Sequence, residues 1–168
     1  MNVSTECRHA NRLVAAVPAA ERLRWGQQLE PVELARGQVL YEPGETPRHV
    51  VFPGPAVVSV RGLLGNGSST EIAQVGGEGL IGIAVFLGGQ SNPCRAVVAS
   101  PGAACRVPVA VMRESFERCR TMQGLVLRFI QAAFTQMAQT AVCNRQLSLD
   151  MKLWIWILMI LYRMAYSD

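Results

Sequence analysis

The sequence is poor in the side chains that bind metals. It has only two histidines, His9 and His49, and they form no closely spaced pair of the kind that holds a catalytic metal. The five cysteines are scattered, with no CxxC pair or other tight metal-binding spacing. An iron–sulfur cluster needs several converging thiolates, and the N-terminal segment offers one. We therefore predict no metal, cofactor or catalytic residue, and reduced thiols, several of them in the core, at Cys7, Cys94, Cys105, Cys119 and Cys143.

Charged residues are also scarce, and no region concentrates one sign. They make up 17% of the chain, and the formal net charge is +4, with arginines spread along the sequence. A dispersed excess of this size is typical of a solvated surface and does not by itself indicate nucleic-acid binding.

Long apolar runs are missing as well. The most apolar stretch, residues 153–161, has nine residues, whereas a helix needs about 20 to span a bilayer. Residues 1–10 are polar and lack the apolar core of a secretion signal. We therefore expect a cytoplasmic protein without a membrane span.

The chain nevertheless has ample material for a core, because 50% of its residues are hydrophobic. Residues 1–30 predict two short helices separated by Pro18. Residues 31–110 contain short runs rich in Val and Ile, broken by Gly, Pro and Asn, and Asn66-Gly67 is the best hairpin signal. This pattern predicts a mainly β fold, a two-sheet jelly roll with flanking helices. The candidate strands are residues 32–34, 39–41, 49–52, 56–63, 70–75, 80–83, 95–98 and 104–107.

A helical pattern returns after Pro108. Within residues 111–150 we predict a short helix over 111–119 and a long helix that begins near Met122. A narrow seam of apolar, small and polar residues recurs along the long helix at steps of three and four. The seam favours a parallel homodimer over simple packing on the barrel, since polar seam residues fix the register of paired helices. The predicted dimer interface is Leu125, Phe129, Ala132, Gln136, Met137, Thr140 and Asn144.

Four segments, which follow one another in the same order as in the family, resemble the Crp/Fnr superfamily of bacterial transcription regulators. GQVLYEPGE at residues 37–45, GEGLIG at 77–82 and SNPCRAVV at 91–98 are similar to its cyclic-nucleotide-binding-like sensor domain. MAQTAVCNR at residues 137–145 looks like the dimerisation helix of one subgroup. The resemblance implies a double-stranded β-helix jelly roll over residues 31–110, followed by a long dimerisation helix.

The resemblance also implies an effector site. In the family, a glycine-rich segment between two strands cradles a phosphate with backbone N–H groups, because glycine lets the backbone approach the ligand closely. In nucleotide-binding members a Glu holds the ribose hydroxyl and an Arg pairs with the cyclic phosphate. The candidate ligand-binding residues carried over are Gly77, Glu78, Gly79, Leu80, Ile81, Gly82, Arg95 and Ala96.

This sequence departs from the nucleotide-binding pattern at both charged positions. Ile83 stands where the Glu is expected, and Cys94, one residue before Arg95, stands where the Arg is expected. Because a shift of one residue on a strand turns a side chain to the other face, the departures argue against binding of cyclic AMP or GMP. The alternative is that residues 77–82 form a structural turn and Arg95 is a surface arginine.

We therefore predict the sensor and dimerisation portion of a Crp/Fnr-type regulator, with an unknown small-molecule effector and no enzymatic activity. Family members continue into a winged helix-turn-helix, whereas residues 151–168 form an apolar tail unlike the family. We expect a gene disrupted near Asp150 and a chain without direct DNA contacts. Alternatives are a cupin-like metalloenzyme, membrane association through residues 153–161, and a haem sensor with His9 or His49 as axial ligand.

Overall fold

The computed structural model describes residues 7, 9–65, 67–89, 91–146 and 148–165. These residues form two antiparallel sheets and five α-helices. The strands are β1 Glu30–Leu34, β2 Val39–Tyr41, β3 His49–Pro53, β4 Val57–Leu63, β5 Ser69–Val75, β6 Arg95–Ser100 and β7 Gly102–Pro108. The helices are α1 Arg12–Ala16, α2 Ala19–Trp25, α3 Val109–Arg118, α4 Arg120–Gln146 and α5 Leu149–Ala165. Short 3₁₀ helices cover Gly26–Gln28 and Ile83–Phe86.

The two sheets form the predicted jelly roll. One has the strand order β1-β7-β3 and the other β2-β6-β4-β5. β4 and β5 make the predicted hairpin, in which Val58 pairs with Val75 and Leu63 with Ser69; Asn66 lies outside the described residues. The mainly β fold with flanking helices is therefore confirmed.

One predicted strand, residues 80–83, is wrong. Only Ile81 forms a β-bridge there, to Val51, and a 3₁₀ helix begins at Ile83. Gly82 has a φ of +107°, in the left-handed region that residues other than glycine rarely adopt. This conformation turns the chain out of the extended path immediately after the bridge.

The core consists of two clusters on opposite faces of the three-stranded sheet. Val50 and Phe52 of β3 face the helices, and Phe52 stacks on Trp25 with 6.0 Å between ring centroids. Val51, between them, faces the other sheet, because successive side chains of a strand alternate. β3 is therefore buried on both faces, which explains its uninterrupted apolar sequence. The intersheet cluster contains Leu34, Val51, Ala56, Val58, Val75, Ile81, Ala96, Val98 and Ala104.

The N-terminal region forms two short helices on either side of Pro18, as predicted. Glu21 connects α2 to α3 from a buried position. Its carboxylate accepts hydrogen bonds from Ser115 Oγ and Arg118 Nη2, each at 2.7 Å. Burial alone would raise the pKa of Glu21, but the hydrogen bonds from Ser115 and Arg118 and the charge of Arg118 lower it below its ordinary value.

The helices after the jelly roll are longer than predicted at their N-terminal ends. α3 begins at Val109 and α4 at Arg120, each two residues before its predicted start. α5 carries an apolar surface in which Met151, Leu153, Trp154, Ile155, Leu158 and Leu161 are exposed. No helix among the described residues has the length and hydropathy needed to span a membrane.

The prediction of reduced thiols is wrong for two of the five cysteines. Cys7 and Cys105 form a disulfide, with 5.9 Å between their Cα atoms and 98 residues between them in the sequence. The packing of the N-terminal segment against β7 brings them together, a contact that cysteine spacing alone does not reveal. Cys94, Cys119 and Cys143 are free and partly buried.

Candidate effector site

Residues 76–82, between β5 and the second 3₁₀ helix, form a compact turn that we call the glycine turn. Several of its N–H groups donate within the protein. Gly76 N donates to Glu78 Oε1 at 3.2 Å, Gly79 N to Gly76 O at 3.1 Å, and Ile81 N to Val51 O at 2.7 Å. In this conformation those N–H groups are engaged by the protein itself.

Asn11 holds the glycine turn from the N-terminal side. Its side chain is buried and donates through Nδ2 to Pro53 O at 2.7 Å and to Gly79 O at 2.9 Å. Its Oδ1 accepts from Val14 N at 3.0 Å and so caps α1. Arg12 N adds a bond to Gly77 O at 2.7 Å. The start of α1 and the glycine turn are therefore one hydrogen-bonded unit.

The side chains of the glycine turn reach both core clusters. Leu80 belongs to the cluster under the helices, and Ile81 to the intersheet cluster. Gly79 packs against Phe129 of α4 so closely that a Cβ on Gly79 would overlap the ring and lie 3.0 Å from Val75 Cγ1. Phe129 itself contacts both clusters. The turn thus connects the interior of the jelly roll to α4.

Arg95 lies apart from the intersheet core. It begins β6 and pairs with Glu42, Nη2 to Oε1 at 2.9 Å, where the two side chains are 38% and 42% exposed. Its neighbour Ala96 is fully buried in the intersheet cluster beside Ile81, so Arg95 and Ala96 face opposite sides of β6. Among the candidate residues, Ala96 and Ile81 therefore lie in the same core cluster, whereas Arg95 forms an ion pair with Glu42.

Cys94, which precedes Arg95, is a partly buried free cysteine. Burial raises the pKa of the Cys94 thiol. Burial, with the adjacent Cys94 as a smaller cause, raises the pKa of Tyr41 far above its ordinary value. Both groups are therefore neutral at pH 7, and they offer a bound anion no positive charge.

Two buried donors remain unsatisfied close to this position. Arg95 Nε and Asn92 Nδ2 have no hydrogen-bond partner in the part of the chain that the structure describes. The backbone of Asn92 bonds to the corner after β2, with Gly44 N donating to Asn92 O at 2.9 Å. Buried polar groups are normally paired, so these donors are the local groups with capacity to bind a polar ligand.

Comparison with solved structures shows that the chain has a known fold. A cyclic nucleotide-binding domain from Methylobacillus flagellatus aligns with 88% of the chain and 89% of its own length, with a TM-score of 0.67 and 14% identity. The N-terminal domain of a transcriptional regulator from Streptomyces coelicolor aligns with 84% of the chain and 99% of its own length, with a TM-score of 0.55 and 15% identity. The chain has the cyclic-nucleotide-binding-like fold.

Sequence comparison adds no closer relationship. No family model matches the chain, and no characterised protein matches it in sequence. The c-di-GMP responsive global regulator CLP of Xanthomonas campestris has the same fold at a TM-score of 0.65 and 9% identity, aligned with 78% of the chain. The alignment spans 66% of that regulator, less than two thirds of its length. At such identities the likeness establishes the fold alone.

The predicted dimer seam of α4 divides into two parts in the cyclic-nucleotide-binding-like fold. Leu125 and Phe129 pack against the core of their own chain. Further along, Ala132 is exposed, and Gln136, Met137 and Thr140 are half-buried; the side chain of Asn144 lies outside the described residues. The second half of the seam therefore lies beyond the contacts with the jelly-roll core.

The structure does not support the alternative metal and haem sites that depend on the two histidines. His9 is exposed, and His49 begins β3. The described residues contain no cluster of three or more His, Cys, Asp or Glu side chains able to hold a metal ion. The cupin-like metalloenzyme alternative therefore has no structural support.

Three features of this region are not predicted from the sequence. Asn11 carries a detectable signal, because Asn before an apolar helical pattern is a typical N-cap. The Glu42–Arg95 pair has no sequence signal, since it depends on the approach of the residues after β2 to the start of β6. Glu71 also accepts hydrogen bonds from Ser59 Oγ at 2.6 Å and from Gln74 Nε2 at 2.8 Å. The sequence gives no signal for this network either, because polar residues in strands normally indicate an exposed face.

Proposed function

We propose that the chain is the sensor and dimerisation portion of a Crp/Fnr-type bacterial transcription regulator that acts in the cytoplasm without enzymatic activity. The observation that carries the proposal is the contact between Gly79 and Phe129. It joins the glycine turn, which corresponds to the effector segment of the resemblance, to the helix that bears the dimer seam. A change at the turn therefore has a direct route to α4.

The proposed effector is a small molecule other than a cyclic nucleotide. Ile83 and Cys94 replace the two charged residues expected at the nucleotide site, and Cys94 is neutral beside the half-buried Tyr41. Arg95 is engaged by Glu42. A phosphate placed at this site would lose hydration without gaining the ion pair that normally compensates for it.

The proposed dimer forms through the second half of the seam. Ala132, Gln136, Met137 and Thr140 lie beyond the part of α4 that packs on the jelly roll. Small and polar residues at such positions allow close approach and fix the register of parallel helices. The described residues include no winged helix-turn-helix, and the proposal covers the sensor module alone.

Light scattering of the purified chain tests the assembly. We expect a mass of twice the 18.3 kDa of one chain. A Gln136→Glu variant places like charges across a parallel seam and should shift the protein toward the monomer, whereas the control Gln131→Glu, exposed on the opposite side of α4 from Thr140, should not. A wild-type protein that stays monomeric at all concentrations would overturn the proposal.

Calorimetric titration with cyclic AMP and cyclic GMP tests the effector class. We expect no saturable binding of either nucleotide. The Arg95→Gln variant serves as the matched control, because it removes the guanidinium of Arg95 and leaves the glycine turn unchanged. Binding by the wild type that disappears in Arg95→Gln would show that Arg95 leaves Glu42 for a cyclic phosphate, and would refute the proposed effector class.

A further inference from the structure

The Cys7–Cys105 disulfide lies where the N-terminal segment meets the jelly roll. Cys105 belongs to β7, the middle strand of the three-stranded sheet, and both cysteines are buried, at 0% and 3% exposure. Cys7 is also part of the core cluster that contains Val126 and Ile130 of α4. The disulfide therefore ties the segment before α1 to the sheet and to the same core as α4.

Ala10 and Asn11 pack directly on the glycine turn and on Gly54 beside it. A Cβ on Gly77 would lie 3.1 Å from Ala10 O, and one on Gly54 would lie 2.8 Å from Ala10 Cβ. Asn11 follows with its bonds to Pro53 O and Gly79 O. The N-terminal segment, the glycine turn and Phe129 thus form a continuous chain of contacts that begins at the disulfide.

The disulfide borders a surface depression, although both cysteines are buried. A depression of about 200 Å³ is lined by both cysteines, together with Ala10, Pro31 and Val32. Its walls are mainly apolar, and Glu33 is the one ionisable side chain among the lining residues. Local opening at this depression would bring a small thiol to the sulfur atoms, and access of this kind separates a reducible disulfide from a purely structural one.

We propose that Cys7–Cys105 is a reversible redox clasp that sets the order of the glycine turn and of the adjoining part of α4. A low-molecular-weight thiolate attacks one sulfur, which breaks the S–S bond and gives a mixed disulfide and one cysteine thiolate. A second thiolate releases the other cysteine and leaves as the oxidised small disulfide. The protein gains two electrons and two protons, and a low-molecular-weight disulfide reverses the reaction.

Reduction removes the covalent restraint on the segment that carries Ala10 and Asn11. The segment that carries Asn11 is then no longer covalently fixed to β7, and the hydrogen bonds of Asn11 alone hold the glycine turn. Local opening of the turn therefore becomes more frequent. Phe129 loses part of its support because Gly79 is its direct neighbour. The proposal does not depend on whether α4 pairs with a second chain.

The test uses the full chain in glutathione buffers that run from fully oxidised to fully reduced. Alkylation and mass spectrometry follow the Cys7–Cys105 thiols, and hydrogen exchange follows the amides of the glycine turn and of α4 near Phe129. We expect reversible reduction and about tenfold or faster exchange at the turn in the reduced protein. Exchange in the β4–β5 pairing should remain unchanged and serves as the internal reference.

Two variants complete the design. Cys7→Ser should exchange like the reduced wild type in every buffer, whereas Cys119→Ser, which changes a free cysteine against the same core cluster, should keep the wild-type response. The proposal is overturned if the pair stays oxidised in the fully reduced buffer, or if its reduction leaves exchange at the turn unchanged. Both of these outcomes are measured on the wild type and do not require that Cys7→Ser folds.

Discussion

Replacement of Gly79 by alanine perturbs the contact between the glycine turn and α4 at a single carbon atom. The new Cβ would overlap the ring of Phe129 and lie 3.0 Å from Val75 Cγ1, so the ring has to move while it is packed against both core clusters. Overpacking of this kind costs about 1–3 kcal/mol. Because about 1 kcal/mol shifts the Tm of a chain of this size by about 2–4 °C, we expect Gly79→Ala to lower the Tm by about 2–12 °C.

A double-mutant cycle with Phe129→Ala isolates this contact. Phe129→Ala alone removes a large, partly buried ring, and we expect a loss of about 2–4 kcal/mol in the free energy of unfolding. With the ring absent, the Cβ at residue 79 meets only the tight contact with Val75 Cγ1, so Gly79→Ala should cost much less in the Phe129→Ala background. The coupling energy between the two positions is then about 1–3 kcal/mol.

Urea unfolding followed by far-ultraviolet circular dichroism measures all four proteins, without reductant so that the disulfide stays formed. Gly124→Ala is the matched control, because a Cβ there meets no other atom within 4 Å. As an alanine inside α4, it should stabilise the protein by about 0.5–1 kcal/mol. An equal cost of Gly79→Ala with and without the Phe129 ring would refute the contact and the coupling built on it.

Two further predictions concern the supports of this region. Asn11→Ser keeps an oxygen that can cap α1 but is too short to donate to Pro53 O and Gly79 O; we expect a loss of about 1–3 kcal/mol in urea unfolding, and an unchanged midpoint would contradict the assigned bonds. Glu21→Gln should cost about 1–3 kcal/mol at pH 7. Because the pKa of Glu21 is lowered in the folded state, its stabilisation is present above the ordinary value of 4.5 and is lost as the pH falls through the folded-state value. The difference between wild type and Glu21→Gln should therefore vanish at low pH, and a constant difference down to pH 3 would count against the ionised carboxylate.

The jelly roll was predictable because strand and turn chemistry agree along residues 31–110. Short Val- and Ile-rich runs end at Gly and Pro, and these breaks place seven strands correctly. Residues 80–83 look the same in sequence, since Leu80 and Ile81 are as apolar as any strand. Leu80 and Ile81 instead lie in two different core clusters, and the positive φ of Gly82 ends the extended backbone conformation. Periodicity alone does not distinguish these cases.

The candidate site was predictable only in part. The resemblance implies a ligand-binding role for residues 77–82, which stays a prediction, and the structure shows that Arg95 and Ala96 occupy opposite faces of β6. The Glu42–Arg95 pair and the Cys7–Cys105 disulfide join residues far apart in the chain. Such pairs depend on the tertiary approach of two segments, and neither segment carries a local signal for it.

We propose that α4 extends beyond the jelly roll and pairs in parallel with the α4 of a second chain. Thr140→Cys, placed in a Cys143→Ser background and treated with a short thiol crosslinker, tests this geometry most directly. A parallel seam brings residue 140 of both chains together, so we expect a covalent dimer of the Thr140→Cys protein, and little crosslinking of the control Thr135→Cys, which is exposed on another side of α4. Equal crosslinking at the two positions, or none at residue 140, would contradict the account.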